Sequence, residues 1–204
     1  MCRFKSGIIL KNKVVVAPGE NDSHSDLLES LGIKDDFFGA TNVFVRAELV
    51  PVNDEWWIDP AEEPDKWRFI VDQDMRPEWF DESEHEKIFR EAVCDWWKEH
   101  VLVDQKLEEL SSGYYRLKRC EVKKLLNDVK VLLDSSQVGK MRDSSQVGKM
   151  RESSQVGEMW DSSQVGEMWD RSTARDFKNY QKVKIWVSPE GTFEMVAHQN
   201  KSEE

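Results

Sequence analysis

The chain has 204 residues, enough for one large domain or two small ones, and 39% of them are apolar with nine tryptophans, which excludes a disordered chain. Its net charge of −11 argues against broad binding to nucleic-acid phosphates or anionic lipid, since both need a basic surface. Three widely spaced cysteines (Cys2, Cys94 and Cys120) with no CxxC pair fit neither a disulfide framework nor a zinc site, and point to a reducing cytoplasm.

The opening MCRFKSGIILKNK holds an apolar run far too short for a secretory leader, and no window approaches the 18 apolar residues of a membrane span. Residues 7–17, GIILKNKVVVA, place two β-branched runs around Lys11-Asn12-Lys13 and predict a hairpin. In NDSHSDLLESLGIKDD, Ser23 and Asp26 have the spacing of a capping box. Leu27, Leu28 and Leu31 share a helix face, and Gly32 is placed to end the helix. The alternation in NVFVRAELVPV (42–52) and the composition of WRFIVDQ (67–73) predict two further strands. DESEHEKIFREAVCDWWKEHV is the clearest helix, with Asp81 as its cap and Ile88, Ala92, Val93, Trp96 and Trp97 as its apolar stripe. These elements predict an α+β domain over residues 1–112.

Residues 134–169 are one nonapeptide, DSSQVGKMR or a close variant, written four times. A period of nine does not match the helical 3.6, and Ser-Ser, Val and Gly recur in every copy. Short strands separated by Asp-Ser-Ser turns fit better and predict a parallel β-solenoid. The change from KMR to EMW sets the coil length. With two nonapeptides per coil of about 18 residues, Lys140 meets Glu158 and Lys149 meets Glu167, whereas one nonapeptide per coil would stack like charges. The same register sets Arg142 against Trp160 and Arg151 against Trp169. Weaker copies flank the array and put Val129, Cys120 and Ala174 at the valine position and Phe177 at the methionine position. Val138, Val147, Val156 and Val165 are expected inside with Met141, Met150, Met159 and Met168, which requires a bend or bulge at Gly139 and its equivalents. The solenoid is expected over 113–181. A β-hairpin over 182–197, turning at Ser188-Pro189-Glu190-Gly191, is expected to cap it, with a polar tail over 198–204.

Few residues point to chemistry. Cys2 is the candidate nucleophile, since loss of Met1 would set its thiol beside its own amine. MCRF is similar to the MCGRF opening of abasic-site-processing (SRAP) domains and to the MCGI opening of class II glutamine amidotransferases. Arg3 stands where both carry glycine, and the later SRAP motifs are missing, so neither activity carries over. His24 is a candidate base, with Asp22 or Asp26 to orient it. Asp72 and Asp74 would need Asp35 or Asp36 to hold a cation, and no spacing supports that. His85, His100 and His198 stand alone, and there is no P-loop, GxGxxG, HExxH or GxSxG. No metal and no cofactor are expected.

The order of segments, MCRFKSGIILKNKV, SHSDLLESLGIKDD, WRFIVDQDMRPEW, a helix ending DWWKEH and then tandem nonapeptides, resembles a family of proteins encoded by bacteriophages, prophages and other mobile elements of bacteria. Its members carry such an N-terminal domain before a variable number of repeats such as Asn-Thr-Thr-Val-x-Ala-Trp. The resemblance implies a setting, the bacterial cytoplasm, and no activity. The leading expectation is a non-catalytic binding or scaffolding protein whose ladder of Ser, Gln, Lys/Glu and Arg/Trp meets a protein partner, with Trp160, Trp169, Arg142 and Arg151 as contacts. Residues 134–169 hold six acids and four bases, so mimicry of DNA is weak. The alternatives are an enzyme using Cys2 or the His24 region, and a structural homodimer joined through the solenoid.

Overall fold

A computed structural model describes residues 4–175. Cys2, Phe177, His198, the hairpin expected at 182–197 and the tail lie outside the described residues. The chain divides into two units, the first ending at His100 and the second beginning at Val101. Among the described residues no helix is long and apolar enough to cross a membrane.

The first unit is an antiparallel sheet with helices. Strand β1 (Lys5–Leu10) turns through Lys11-Asn12 into β2 (Lys13–Val16), and β3 (Phe44–Pro51) and β4 (Trp67–Val71) complete the order β2-β1-β3-β4. Helix α1 (His24–Ser30) starts at Ser23, whose hydroxyl accepts the Asp26 N–H, and it packs on β1 through Leu27 and Leu28. It ends before Gly32, whose φ of +68° suits glycine. A second short helix, α2 (Phe37–Asn42), is capped by Asp36. The sequence pattern gave no hint of it, because Phe37 and Phe38 both face solvent and leave no amphipathic period.

Helix α3 (Glu82–His100) is capped by Asp81, whose carboxylate accepts the Glu84 N–H at 2.8 Å. It packs on β1 and β2. The buried stripe differs from the expected one: His85, Phe89, Val93 and Trp96 are inside, while Ile88 is exposed. The aromatic residues decide this. Phe89 meets Phe69 at 5.5 Å and lies over Gly7, and Trp96 meets Phe4 at 5.9 Å. Burying these large rings outweighs burying one isoleucine.

The second unit is a β-solenoid, with ten short parallel strands among the described residues. They are β5 (Val101–Val103), β6 (Lys106–Leu110), β7 (Tyr114–Lys118), β8 (Glu121–Leu125), β9 (Lys130–Asp134), β10 (Gln137–Met141), β11 (Gln146–Arg151), β12 (Gln155–Met159), β13 (Gln164–Met168) and β14 (Thr173–Ala174). They form two sheets, ordered β14-β12-β10-β8-β6 and β13-β11-β9-β7-β5. The solenoid therefore starts at Val101, not at 113. The residues from 101 to 110 have strand composition without the repeat's letters, which hid them.

Pairing partners in the near-identical copies are 18 apart, as Val138 with Val156 and Val147 with Val165. Earlier coils are shorter than the expected 18: Leu107 pairs with Val122, and Val122 with Val138. The valine position of the weaker copies is thus held by Val122 and Val131, not by Cys120 and Val129. Cys120 and Val129 sit at the corners instead, where their carbonyls accept the N–H groups of Gln137 and Gln146. Ala174 does pair with Val156.

The core holds the four valines and four methionines of the copies, together with Leu117, Val122, Leu125, Val131 and Leu133. Val and Met are three apart, so the strand must gain a residue between them. The ladder between β9 and β11 shifts register between Val147 and Lys149. The glycine has a steric cause as well: a Cβ at Gly157 would lie 2.5 Å from the Gly139 carbonyl oxygen, and one at Gly166 equally close to that of Gly148.

Each corner carries one residue at positive φ, including Asn127, Asp143 and Asp161 along one edge and Arg119, Ser135, Glu152 and Asp170 along the other. Asn and Asp tolerate this region better than other side chains. The aspartate also ties coils together. Asp143 Oδ2 accepts the Asn127 N–H, Asp161 the Asp143 N–H and Asp170 the Glu152 N–H, at 3.0–3.3 Å. The second serine of each copy, expected on the outer ladder, is buried. Ser136 Oγ accepts the Cys120 N–H, and Ser154 Oγ accepts the Ser136 N–H. These bonds satisfy backbone groups that the corner takes out of the strand ladder.

Candidate functional site

Two surfaces combine the residues singled out above. In the first unit, His24 is 6% exposed, at the start of α1. Its Nε2 lies 3.0 Å from the Ala47 carbonyl oxygen, which can only accept, so Nε2 carries the proton. Its Nδ1 faces Asp72 Oδ2 at 3.4 Å. The orienting carboxylate is therefore Asp72, just past β4, and neither Asp22 nor Asp26. Asp22 pairs with the buried Lys5 at 3.0 Å, and Asp26 accepts from Asn21. Glu48 is the third member, its carboxylate within 4.8 Å of the His24 and Asp72 ligand atoms. Asp35 does not join them, being held by Arg46 and Ser25. Asp22, Ser23, Ser25, Asp35 and Arg46 line an open depression of about 670 Å³ that reaches His24 and Asp72.

Two of the histidines read as isolated are packed against aromatic rings. His85 lies 5.1 Å from Phe80 and 5.5 Å from Trp79, and His100 lies 5.0 Å from Trp96. Burial pushes the Cys94 and Cys120 thiols up from their ordinary pKa, and the Cys120 thiol donates to the Leu102 carbonyl. Neither is set up as a nucleophile.

The second surface is the outside of the solenoid. Lys140 Nζ lies 2.9 Å from Glu158, and Lys149 Nζ lies 2.9 Å from Glu167, each bridge crossing from one coil to the next. Each glutamate also accepts an indole N–H two residues on, Glu158 from Trp160 at 2.8 Å and Glu167 from Trp169 at 3.0 Å. Hydrogen bonds from Lys149 and Trp169 hold the Glu167 carboxyl below the usual glutamate range. Lys140 and Arg142 both stand over the Trp160 ring, at 5.3 and 5.8 Å. The cation over Trp169 is Lys149, at 5.7 Å, where Arg151 was expected.

The tryptophans are thus less free than a pair of bare anchors. Trp160 is half-buried, and Trp169 is 39% exposed. Arg142 and Arg151 are exposed. On the β8-β10-β12-β14 face, a groove of about 230 Å³ runs over Gly139 and Gly157. Gln137 and Gln155 are on one side, and Thr173 and Arg175 are at one end. The groove follows from stacked glycines, whose missing side chains lower the surface along a line.

No family model, no curated protein and no solved structure matches this chain.

Proposed function

We propose that this chain is a non-catalytic binding and scaffolding protein, encoded by a phage or mobile element, whose solenoid presents a repeated surface to a protein partner in the bacterial cytoplasm. The observation that supports this most is the in-register stacking of identical outward side chains. Gln137 lies beside Gln155 and Gln146 beside Gln164, with the Lys–Glu bridges running parallel to them. Neighbouring strands lie about 4.8 Å apart. The result on each sheet is a short row, two of the same amide at that pitch, and the row on the β10–β12 sheet borders the low-relief glycine groove. Such a row matches an extended partner segment whose own groups recur along its length.

The charge bridges support the reading in a second way. Lys and Glu neutralise one another within the face, so the ladder meets a protein surface without the field that the chain's net charge of −11 would otherwise set there. Exposed Arg142 and Trp169, which follow β10 and β13, and Arg151, at the end of β11, belong to the residue types that anchor protein interfaces.

The test is affinity capture from bacterial lysate with tagged full-length protein, read by quantitative mass spectrometry. A stoichiometric protein captured by the wild type, and reduced at least tenfold by Arg142→Glu/Arg151→Glu with unchanged melting temperature, supports the proposal. Capture that survives this double variant and Gln137→Arg/Gln155→Arg overturns it.

A further inference from the structure

The His24 cluster carries an inference independent of the solenoid. We propose that His24, Glu48 and Asp72 bind one divalent transition-metal ion of the zinc–manganese class. Three elements bring the ligands together: the first residue of α1, the middle of β3 and the residue that follows β4. The donor set is one imidazole nitrogen and two carboxylate oxygens, all within 4.8 Å of one another. Mixed N/O donors of this kind suit zinc, manganese and their neighbours better than calcium or magnesium, which prefer all-oxygen sites.

The ring is already set as a ligand. The Ala47 carbonyl fixes the proton on Nε2 and turns Nδ1 toward Asp72. Metal-binding histidines typically donate their other ring N–H to a backbone carbonyl or carboxylate in this way. The 3.4 Å between His24 Nδ1 and Asp72 Oδ2 matches the edge of a tetrahedron with bonds of about 2.1 Å.

Two buried polar groups, one in the cluster and one across the ladder from it, supply the independent sign of a ligand. Glu48 is 7% exposed and makes no hydrogen bond or ion pair with any described residue, yet its carboxylate is aimed at the cluster. Ser6, its partner directly across the ladder from β1, is fully buried, and its hydroxyl has no hydrogen-bond partner among the described residues. Buried carboxylates are nearly always paired or metal-bound. A cation held by His24 and Asp72 gives Glu48 its counter-charge, and water on that cation is the kind of partner that Ser6 lacks. Three protein ligands leave further coordination positions, and the depression along Asp22, Ser23, Ser25, Asp35 and Arg46 gives solvent a route to the ion.

The test uses the full-length protein, stripped with EDTA and dialysed, and titrated with zinc chloride and manganese chloride by calorimetry and with cobalt chloride by visible absorption. One ion per chain is expected, with affinity falling at least tenfold in Asp72→Asn and in Glu48→Gln and the cobalt bands fading in both. Asp72 is more than half exposed, so Asp72→Asn should keep the metal-free melting temperature of the wild type while losing the rise that zinc produces. No uptake by the wild type overturns the proposal and leaves a plain His24–Asp72 pair. Uptake that both variants leave unchanged also overturns it, since the ion then sits on other residues.

Discussion

Lys140 and Glu158 sit side by side on neighbouring coils, Nζ to Oε2 2.9 Å, although they come from copies that differ at this very position. Lys149 and Glu167 repeat the arrangement one strand later. The change of letter halfway through the repeat is thus a charge match between coils. Both partners are 29–39% exposed, so each bridge contributes modestly. Glu158→Lys should destabilise the protein by about 0.5–1 kcal/mol, and adding Lys140→Glu should restore most of it. A double-mutant cycle by urea unfolding measures this, and the coupling should shrink in high salt.

Gly157→Ala should be far more damaging than its size suggests. The new Cβ would meet the Gly139 carbonyl oxygen at 2.5 Å, and that oxygen belongs to the neighbouring coil's backbone. Relief requires separating two paired strands. The expected loss is about 1–3 kcal/mol, while Gln155→Ala on the exposed face of the same strand should stay within about 0.5 kcal/mol of the wild type. Thermal melts of the two variants make the comparison.

Lys118 and Asp134 form a buried pair at 2.7 Å, with side chains 6% and 10% exposed. Lys118→Met strips the buried Asp134 of the cation bonded to it, and should cost about 3–5 kcal/mol. Lys118→Met with Asp134→Leu removes both charges and should recover much of that loss. Chemical denaturation distinguishes the two.

That pair also marks a limit of the sequence reading. Asp134 opens the first copy of the repeat, as Asp143 and Asp161 open later ones. Yet Asp134 ends β9 under Lys118, and Ser135 takes the positive φ in its place. Identical letters occupy different positions because the coil before them is shorter, and coil length depends on the neighbour to be stacked upon. The inward valines and methionines were legible because a fixed period repeats them. The strands from 101 to 110 were not, since nothing in their letters repeats. The His24 cluster was legible only in part. His24 and Asp72 each drew notice, but Glu48 reads as one more polar position in an alternating strand. Only the pairing of β3 with β4 and the packing of α1 on the sheet bring the three together.

The folded state holds the Glu167 carboxyl below its ordinary range through Lys149 and Trp169. A carboxyl of this kind lends its full stability above the ordinary glutamate pKa and loses it as the pH falls through the lowered value. Stability of the wild type should therefore fall more steeply between about pH 5 and pH 3 than that of Glu167→Gln. Urea midpoints at half-unit pH steps would show the two curves converging toward acid. Parallel curves would mean that the hydrogen bonds to Glu167 do not form in solution.

The most direct measurement places a photo-crosslinking amino acid at Gln155, on the outer face of the solenoid, or at Ser25, beside His24, in full-length protein expressed in bacteria. If the repeat surface is the docking face, a discrete crosslinked species forms from position 155 and not from position 25. A species that forms from position 25 alone would contradict a solenoid-borne binding function and move the protein's activity to the His24 depression.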